Sequence, residues 1–443
     1  MHFRDLCRRE LRIVFGARAT WLVLAAGALL VGHSFVLAVD LYASASRSAL
    51  GFALMQRELD PLAGIVRPML GGLHLAASLL VPVVATRGLA LERERGSYGA
   101  LALAAGGTSR VVLAKGLAAL LAAWAFAFPV VTLVAGFAAV GGHVDVPEIA
   151  VALLGHVLHL AVLAAISLAA AAATRRVAQA ISVAIATTLL SWGVDAGDGF
   201  AALAWLGRLD VLSVGRRLDP FEHGIVAPGA VAWFVVLGGG GVTLALRAAR
   251  IDAPIRRWCA VALTGALVIA ALPAASRWHR GYDWSEQRRA SLPPQVVEGL
   301  RSLPGPVRVE LLLDREDGRR AQMEGDVLVK LRLARPDLRI ETPLDRDPPS
   351  LQGTRDDRYG RIVLRAGGGV RETRSTSRKE IVTLIFEAAG APLPTWSQPP
   401  YPGYPVVVEG GRRTFVVFAS YVGVPAVLVV LGYLCTRTRR RAS

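Results

Sequence analysis

The sequence predicts an α-helical polytopic membrane protein of about eight transmembrane helices, with a small exocytoplasmic α/β domain inserted between the last two. Composition is the first reason: of 443 residues, 53% are hydrophobic and the mean hydropathy is +0.45, too apolar for a chain solvated by water alone. The second is that eight runs approach the roughly 20 apolar residues a helix needs to cross hydrocarbon at about 1.5 Å per residue. The third is that arginines gather between alternate runs, as they do on one side of a membrane protein.

The first 19 residues read as an amphipathic helix lying in the membrane interface. Phe3, Leu6, Cys7, Leu11, Val14 and Phe15 gather on one face, and Arg4, Arg8 and Arg12 on the other. The first apolar run follows this basic segment without a clean small-residue cleavage site, so it reads as a retained anchor, not a signal peptide. The spans are placed at Thr20–Val39, Met69–Thr86, Val111–Val140, Glu148–Thr174, Val177–Val194, Gly229–Leu246, Trp258–Ala275 and Thr414–Leu434. The third and fourth are long enough to tilt or overhang.

Orientation follows the arginines. Arg4, Arg8, Arg9, Arg12 and Arg18 precede the first span, and Arg87, Arg93, Arg95 and Arg110 separate the second from the third. Arg175 and Arg176, the group Arg247, Arg250, Arg256 and Arg257, and the tail Arg437, Arg439, Arg440 and Arg441 fall on the same side. That side is expected to be cytoplasmic, with both termini on it. The opposite side receives Asp40–Pro68, Gly141–Pro147, Asp195–Pro228 and the long insert Ser276–Arg413, which translocates regardless of its charge. The net charge of +16 is almost wholly arginine, since Lys115, Lys330 and Lys379 are the only lysines, so it reads as topology and no nucleic-acid partner is expected. Cys7, Cys259 and Cys435 sit at helix ends on the cytoplasmic side and imply no disulfide framework.

Within the insert, Pro306–Asp314, Leu338–Pro343 and Arg361–Ala366 read as strands and Arg319–Ala334 and Arg378–Ala389 as helices. The stretch Ala391–Gly411 is a Pro- and Gly-rich linker. Asp283, Glu286, Asp314, Glu316, Asp317, Asp356, Asp357 and Glu372 have no nucleophile, histidine base or metal-ligand spacing beside them, so they read as solvated surface.

Little else points to chemistry. No G-x-x-x-x-G-K-[ST] loop is present, and neither Gly106-Gly107 nor Gly238–Gly241 is followed by the lysine that cradles a phosphate, so the chain cannot itself use ATP. The glycine quartet reads as a close helix contact in the sixth span. Pro82 and Pro129 read as kinks. His33, His74, His156 and His159 fall in or near spans; His156 and His159 are i, i+3 neighbours, a spacing two metal ligands can use. Without a cysteine or carboxylate at matching depth, interhelical hydrogen bonding is the expected role, and a metal or proton path the lesser one.

The most informative segment is Glu92–Lys115, in which Glu92, Glu94, Gly96, Ser97, Ser109, Arg110, Lys115 and Gly116 form an acidic-basic run, a Gly-Ser step, an apolar stretch and a Ser-Arg and Lys-Gly lead into the third span. This segment resembles the corresponding loop of ABC-2-type transporter permeases, although the proline usual before Ser-Arg is replaced by Gly106-Gly107. Leu218–Val226, with Phe221, His223 and a Gly-Ile step, resembles a second family segment, of the branch that includes gliding-motility and copper-enzyme-maturation transporters. Asp283-Trp284-Ser285, Ser291–Pro294, Leu300–Val309 and Tyr359–Arg374 resemble a shortened gliding-motility-type auxiliary domain.

The resemblance implies a division into an interfacial helix (1–19), a six-helix permease domain (20–250), a seventh span (251–275), an auxiliary domain (276–413), and an eighth span with a basic tail (414–443). It implies a non-catalytic permease subunit in a bacterial cytoplasmic membrane. No cofactor is expected in this chain; ATP and Mg belong to a partner ATP-binding subunit. A second copy or a paired permease, the lipid bilayer and an exocytoplasmic protein are the other expected partners. Glu92, Arg93, Glu94, Arg95, Gly96, Ser97, Ser109 and Arg110 are the implied coupling residues, and Arg4, Arg8 and Arg12 the interfacial ones. The alternative is a membrane-anchored scaffold whose exocytoplasmic domain recruits an envelope or surface partner. A metal-conducting protein or intramembrane enzyme is a third reading, and it rests only on the histidines.

Overall fold

The computed structural model describes residues 1–196, 209, 211–251, 254–278, 280–314, 317–345, 358–397, 401–407 and 410–441. Glu316, Asp356 and Asp357, with parts of the 195–228 loop and the 391–411 linker, lie outside the described residues. The chain divides into two compact units, one of Met1–Trp192, Val214–Trp278 and Tyr401–Ser443, the other of Gly193–Ser213 and His279–Pro400.

Among the described residues, eight helices are long and apolar enough to cross a membrane: Arg18–Ser48, Leu62–Glu94, Thr108–Ala139, Val146–Ala173, Val177–Asp195, Pro228–Ala248, Pro254–Ser276 and Gly411–Arg437, hereafter the first to eighth spans. They mark a multi-pass helical protein. Shorter helices accompany them, among them α1 (Phe3–Phe15), α2 (Tyr98–Ala105) and α3 (Gly215–Glu222).

The first two spans outrun their predicted limits, and the 40–68 loop is correspondingly shorter than predicted. The first continues to Ser48 because Tyr42, Ala43 and Ser46 remain buried, and the Tyr42 hydroxyl donates to the Tyr404 carbonyl at 2.8 Å. The second opens as a π-helix over Leu62–Val66 and runs through Pro82, where the Thr86 hydroxyl donates back to the Pro82 carbonyl at 2.6 Å. In the third span the helix tightens to 3₁₀ over Ala125–Ala127, just ahead of Pro129, whose ring nitrogen has no hydrogen to give the helical ladder. In the sixth span, a Cβ on Gly240 would stand 2.5 Å from the Val268 side chain and one on Gly241 3.0 Å from Ala165, so the glycines admit the seventh and fourth spans to close contact.

At the end of the bundle that carries the N-terminus, a small-residue core joins Leu6 of α1, Leu89, Tyr98, Val111, Leu168 and Ala245, drawing five spans' worth of chain around α2 once Ala180 is included.

The second unit is a four-stranded sheet with helices. The strands are β1 (Arg308–Leu311), β2 (Arg339–Glu341), β3 (Ile362–Ala366) and β4 (Gly369–Thr373), in the order β2-β1-β3-β4; only β1 and β2 are parallel. Val309, Leu311, Ile362 and Leu364 pack with α4 (Pro294–Ser302), the continuous helical stretch α5 (318–334) and α6 (Arg378–Ala389) in one core. Strands β1, β2 and β3 and two of the helices fall on their predicted positions; β4 and α4 are additional. Buried Arg335 donates to the Leu300 carbonyl at 2.7 Å and to Asp337 at 2.9 Å, which fixes the end of α5 against α4.

Two of the acidic residues predicted to be solvated surface prove to be structural. Asp317 caps α5, accepting from the Arg319 amide at 2.9 Å, from its guanidinium at 2.7 Å and from the Tyr359 hydroxyl at 3.0 Å. The bond from Arg319 is the main cause that lowers its carboxyl to about 2. Asp283 accepts the Ser285 amide at 2.8 Å, closing a tight turn. On the open face of the sheet Arg339, Arg308 and Arg365 are paired directly across three strands, and all three are exposed.

Candidate functional site

Residues 87–110 form a helical hairpin at the end of the bundle that carries the N-terminus. The second span continues as helix to Glu94, turns through Gly96 at φ 71°, re-enters helix as α2, and turns again through Gly106 and Gly107 at φ 74° and 139° before the third span begins at Thr108. Those two positive φ values suit glycine at little cost, and a proline could adopt neither.

The charged residues of this hairpin divide into two sets. Glu92, Arg93 and Glu94 are ties to the bundle. Lys115, only 4% exposed in the third span, donates to Glu92 at 3.3 Å and to Glu10 of α1 at 2.7 Å; Glu10 is 1% exposed. Arg9 closes the group, reaching Glu10 at 2.8 Å and Glu92 at 3.5 Å. Two cations thus balance two anions, which is the condition for ionised side chains to be tolerated in such a place. Arg93 donates to the Thr174 carbonyl at 3.0 Å, at the end of the fourth span, and lies 5.6 Å from the Tyr98 ring centroid. Glu94 accepts the Val177 amide at 3.0 Å, capping the start of the fifth span, where a helix N-terminus favours a carboxylate. The buried Tyr98 hydroxyl donates to the Ala249 carbonyl at 3.1 Å, just past the sixth span; burial pushes its phenol up.

The second set faces outward. Arg95, Gly96, Ser97, Ser109 and Arg110 are exposed, and Leu103 of α2 is 86% exposed among them. Arg4, Arg8 and Arg12 are exposed on α1, whose opposite stripe holds Leu6 and Glu10 inside. Sequence reasoning missed Glu10, Lys115 as its partner, and Leu103. Glu10 falls seven residues after Phe3 and four after Leu6, on the apolar stripe, which was the readable signal.

A second cluster lies deeper. His156 and His159 of the fourth span meet His74 of the second, with ring centroids 6.5 and 4.6 Å from the His74 ring. The Trp192 indole donates to His74 Nε2 at 2.9 Å, so that nitrogen carries a lone pair and no proton. His156 Nε2 lies 3.1 Å from the Glu222 carboxylate at the end of α3, and Arg67 donates to the Glu222 carbonyl at 2.7 Å. Burial raises the Glu222 carboxyl, but the hydrogen bond to His156 and the nearby Arg67 charge outweigh it and leave it below its ordinary value. The carboxylate the sequence lacked at this depth is therefore supplied by α3. Among the described residues, no group of three or more His, Cys, Asp or Glu side chains is arranged to hold a metal ion.

No protein-family model, curated protein or solved structure matches the chain.

Proposed function

We propose that the chain is the transmembrane permease subunit of an ATP-binding-cassette transporter, which moves or extracts its substrate with energy from a separate ATPase subunit. The observation that supports this best is the seating of the 87–110 hairpin. Through Lys115, Thr174, Val177 and Ala249 it is bonded to the third span and to the ends of the fourth, fifth and sixth, and through Arg9 it holds α1. A displacement of the hairpin moves these elements together, which is what a mechanical coupling element has to do.

On this reading the hairpin end is cytoplasmic, both termini lie there, the membrane is a bacterial cytoplasmic membrane, and the second unit is an exocytoplasmic auxiliary domain. ATP and Mg bind the partner subunit, and two permease chains complete the pore. The docking surface is the outward set: Leu103 as apolar anchor, with the exposed Arg95, Ser109 and Arg110 of the same hairpin. Glu92 and Glu94 act as struts behind it. Leu103→Asp and Arg110→Glu, at exposed positions, are expected to abolish partner-dependent ATPase activity while leaving thermal unfolding unchanged; full activity in both would sink the reading.

A scaffold is the second reading, favoured by the row of Arg339, Arg308 and Arg365 on the sheet. Like charges directly opposite one another destabilise a sheet, and among the described residues only Arg365 has an ion-pair partner, Glu310 at 3.6 Å. Such a row suits an acidic partner. A scaffold shows no partner-dependent ATPase activity, and its capture of an acidic partner is lost in Arg308→Glu and kept in Leu103→Asp, which separates the two.

A further inference from the structure

The histidine cluster contains buried polar capacity that the rest of the fold does not use. Among the described residues, neither ring nitrogen of His159, which is 3% exposed, has a hydrogen-bond partner, and neither does Nδ1 of His156, which is 1% exposed. Buried polar atoms are nearly always paired, so three orphans on two adjacent rings call for an explanation. Core packing alone would be met as well by leucine or phenylalanine.

The charged surroundings favour one protonation state over another. Glu222 faces His156 at 3.1 Å, and on the same helix α3 the Asp219 carboxylate lies 3.4 Å from His223. Arg216 and Arg217 are also on α3; Arg67 reaches the Glu222 carbonyl and His74 contributes a ring, both from the second span. On the fourth span itself, Glu148 stands at the start. Lys115 of the third span, Glu92, Arg93 and Glu94 of the hairpin, and Arg247 of the sixth span belong to the opposite end of the bundle. His156 therefore has a carboxylate in direct contact and no cation bonded to it. The polar groups also grade outward, from buried His159 and His156 to Glu222, Asp219 and His223, all half-buried.

We propose that His156 is a proton-binding site, filled from the end of the bundle at which α3 lies. A proton reaching the Asp219–His223–Glu222 group adds to whichever ring nitrogen of His156 carries the lone pair. Either neutral tautomer becomes the same imidazolium, with Nε2–H donated to the Glu222 carboxylate, and no other bond forms or breaks. His74 is held as an acceptor by Trp192, and among the described residues His159 has no carboxylate in hydrogen-bond contact. The bound proton turns a hydrogen bond into an ion pair joining the fourth span to α3, so the attachment of α3 responds to pH on its own side. The inference stands on this geometry and does not depend on ATP-driven transport.

Histidine-selective ¹⁵N NMR of the full chain in lipid nanodiscs tests it, since imidazolium and the two neutral tautomers give distinct nitrogen shifts. The His156 signals are assigned by their loss in His156→Gln. Between pH 4 and 9 the expected result is a single transition of His156 to imidazolium. Its proton affinity should fall at least tenfold in Glu222→Gln and largely recover in Glu222→Asp. A His156 that stays neutral across the range, or one that titrates identically in wild type and Glu222→Gln, overturns the proposal. The wild-type titration decides the first point even if Glu222→Gln does not fold.

Discussion

Lys115 and His156 are buried polar residues on neighbouring spans of one unit, yet their surroundings differ in kind. Lys115 is saturated: two carboxylates and Arg9 complete a neutral group, and the residues around it bind backbone at the ends of three further spans. His156 has one carboxylate and one idle ring nitrogen, next to a histidine with two. A closed ionic group holds elements in fixed register. An open one keeps the capacity to change charge. The lesson is that burial of charge marks a joint at one end of the bundle and a responsive site nearer the other.

The largest expected effect comes from opening the closed group. Lys115→Met leaves Glu10 and Glu92 facing each other without their buried cation and is expected to cost about 3–5 kcal/mol, read as a lower unfolding temperature in detergent. Adding Glu10→Gln should restore most of it, because removing both partners of a buried pair is far milder than removing one. If Lys115→Met unfolds like the wild type, the knot is not a joint.

Asp317 of the second unit is a useful control, being a saturated carboxylate outside the spans. Its folded value, lowered to about 2, lies below the roughly 3.9 of an unfolded aspartate. It therefore contributes stability that is complete above about pH 4 and is lost as pH falls towards 2. Asp317→Ala, which also removes a helix cap, should cost about 0.5–2 kcal/mol at neutral pH and flatten that acid-side loss. An unchanged acid profile in the variant would show that other carboxylates carry it.

The smallest effect is expected in the open cluster. His159→Leu removes two unpaired nitrogens and keeps an apolar side chain of similar bulk, so it should shift stability by less than about 1.5 kcal/mol in either direction. A loss as large as that of Lys115→Met would mean that His159 has a structural hydrogen-bond role.

How much of this could be read from the sequence depends on the range of the interaction. Spans were legible because an apolar run of about 20 residues has one stable solution, and the α1 stripe because helical periodicity is local. Span ends were less so: nothing near Val39 reveals that Tyr42 will bond to Tyr404, 362 residues later. The 87–110 segment was legible as a charged stretch between two spans, but its inward- and outward-facing residues were not separable. Glu92 and Arg95 look alike in a charged run, and only the arrival of Lys115, with Glu10 from 105 residues before it, sets Glu92 apart. Likewise the i, i+3 pair His156 and His159 was visible, whereas His74, Trp192 and Glu222 come from other helices.

The most direct test concerns Leu103, which is exposed on the proposed docking surface and outside the Lys115 ion-pair group. Wild-type chain and Leu103→Asp would be purified in mild detergent, and co-purifying nucleotide hydrolysis measured together with unfolding temperature. A permease driven by a docked ATPase predicts hydrolysis with the wild type, at least tenfold less with Leu103→Asp, and unfolding temperatures that agree. Hydrolysis absent from the wild type, or undiminished in Leu103→Asp, contradicts it.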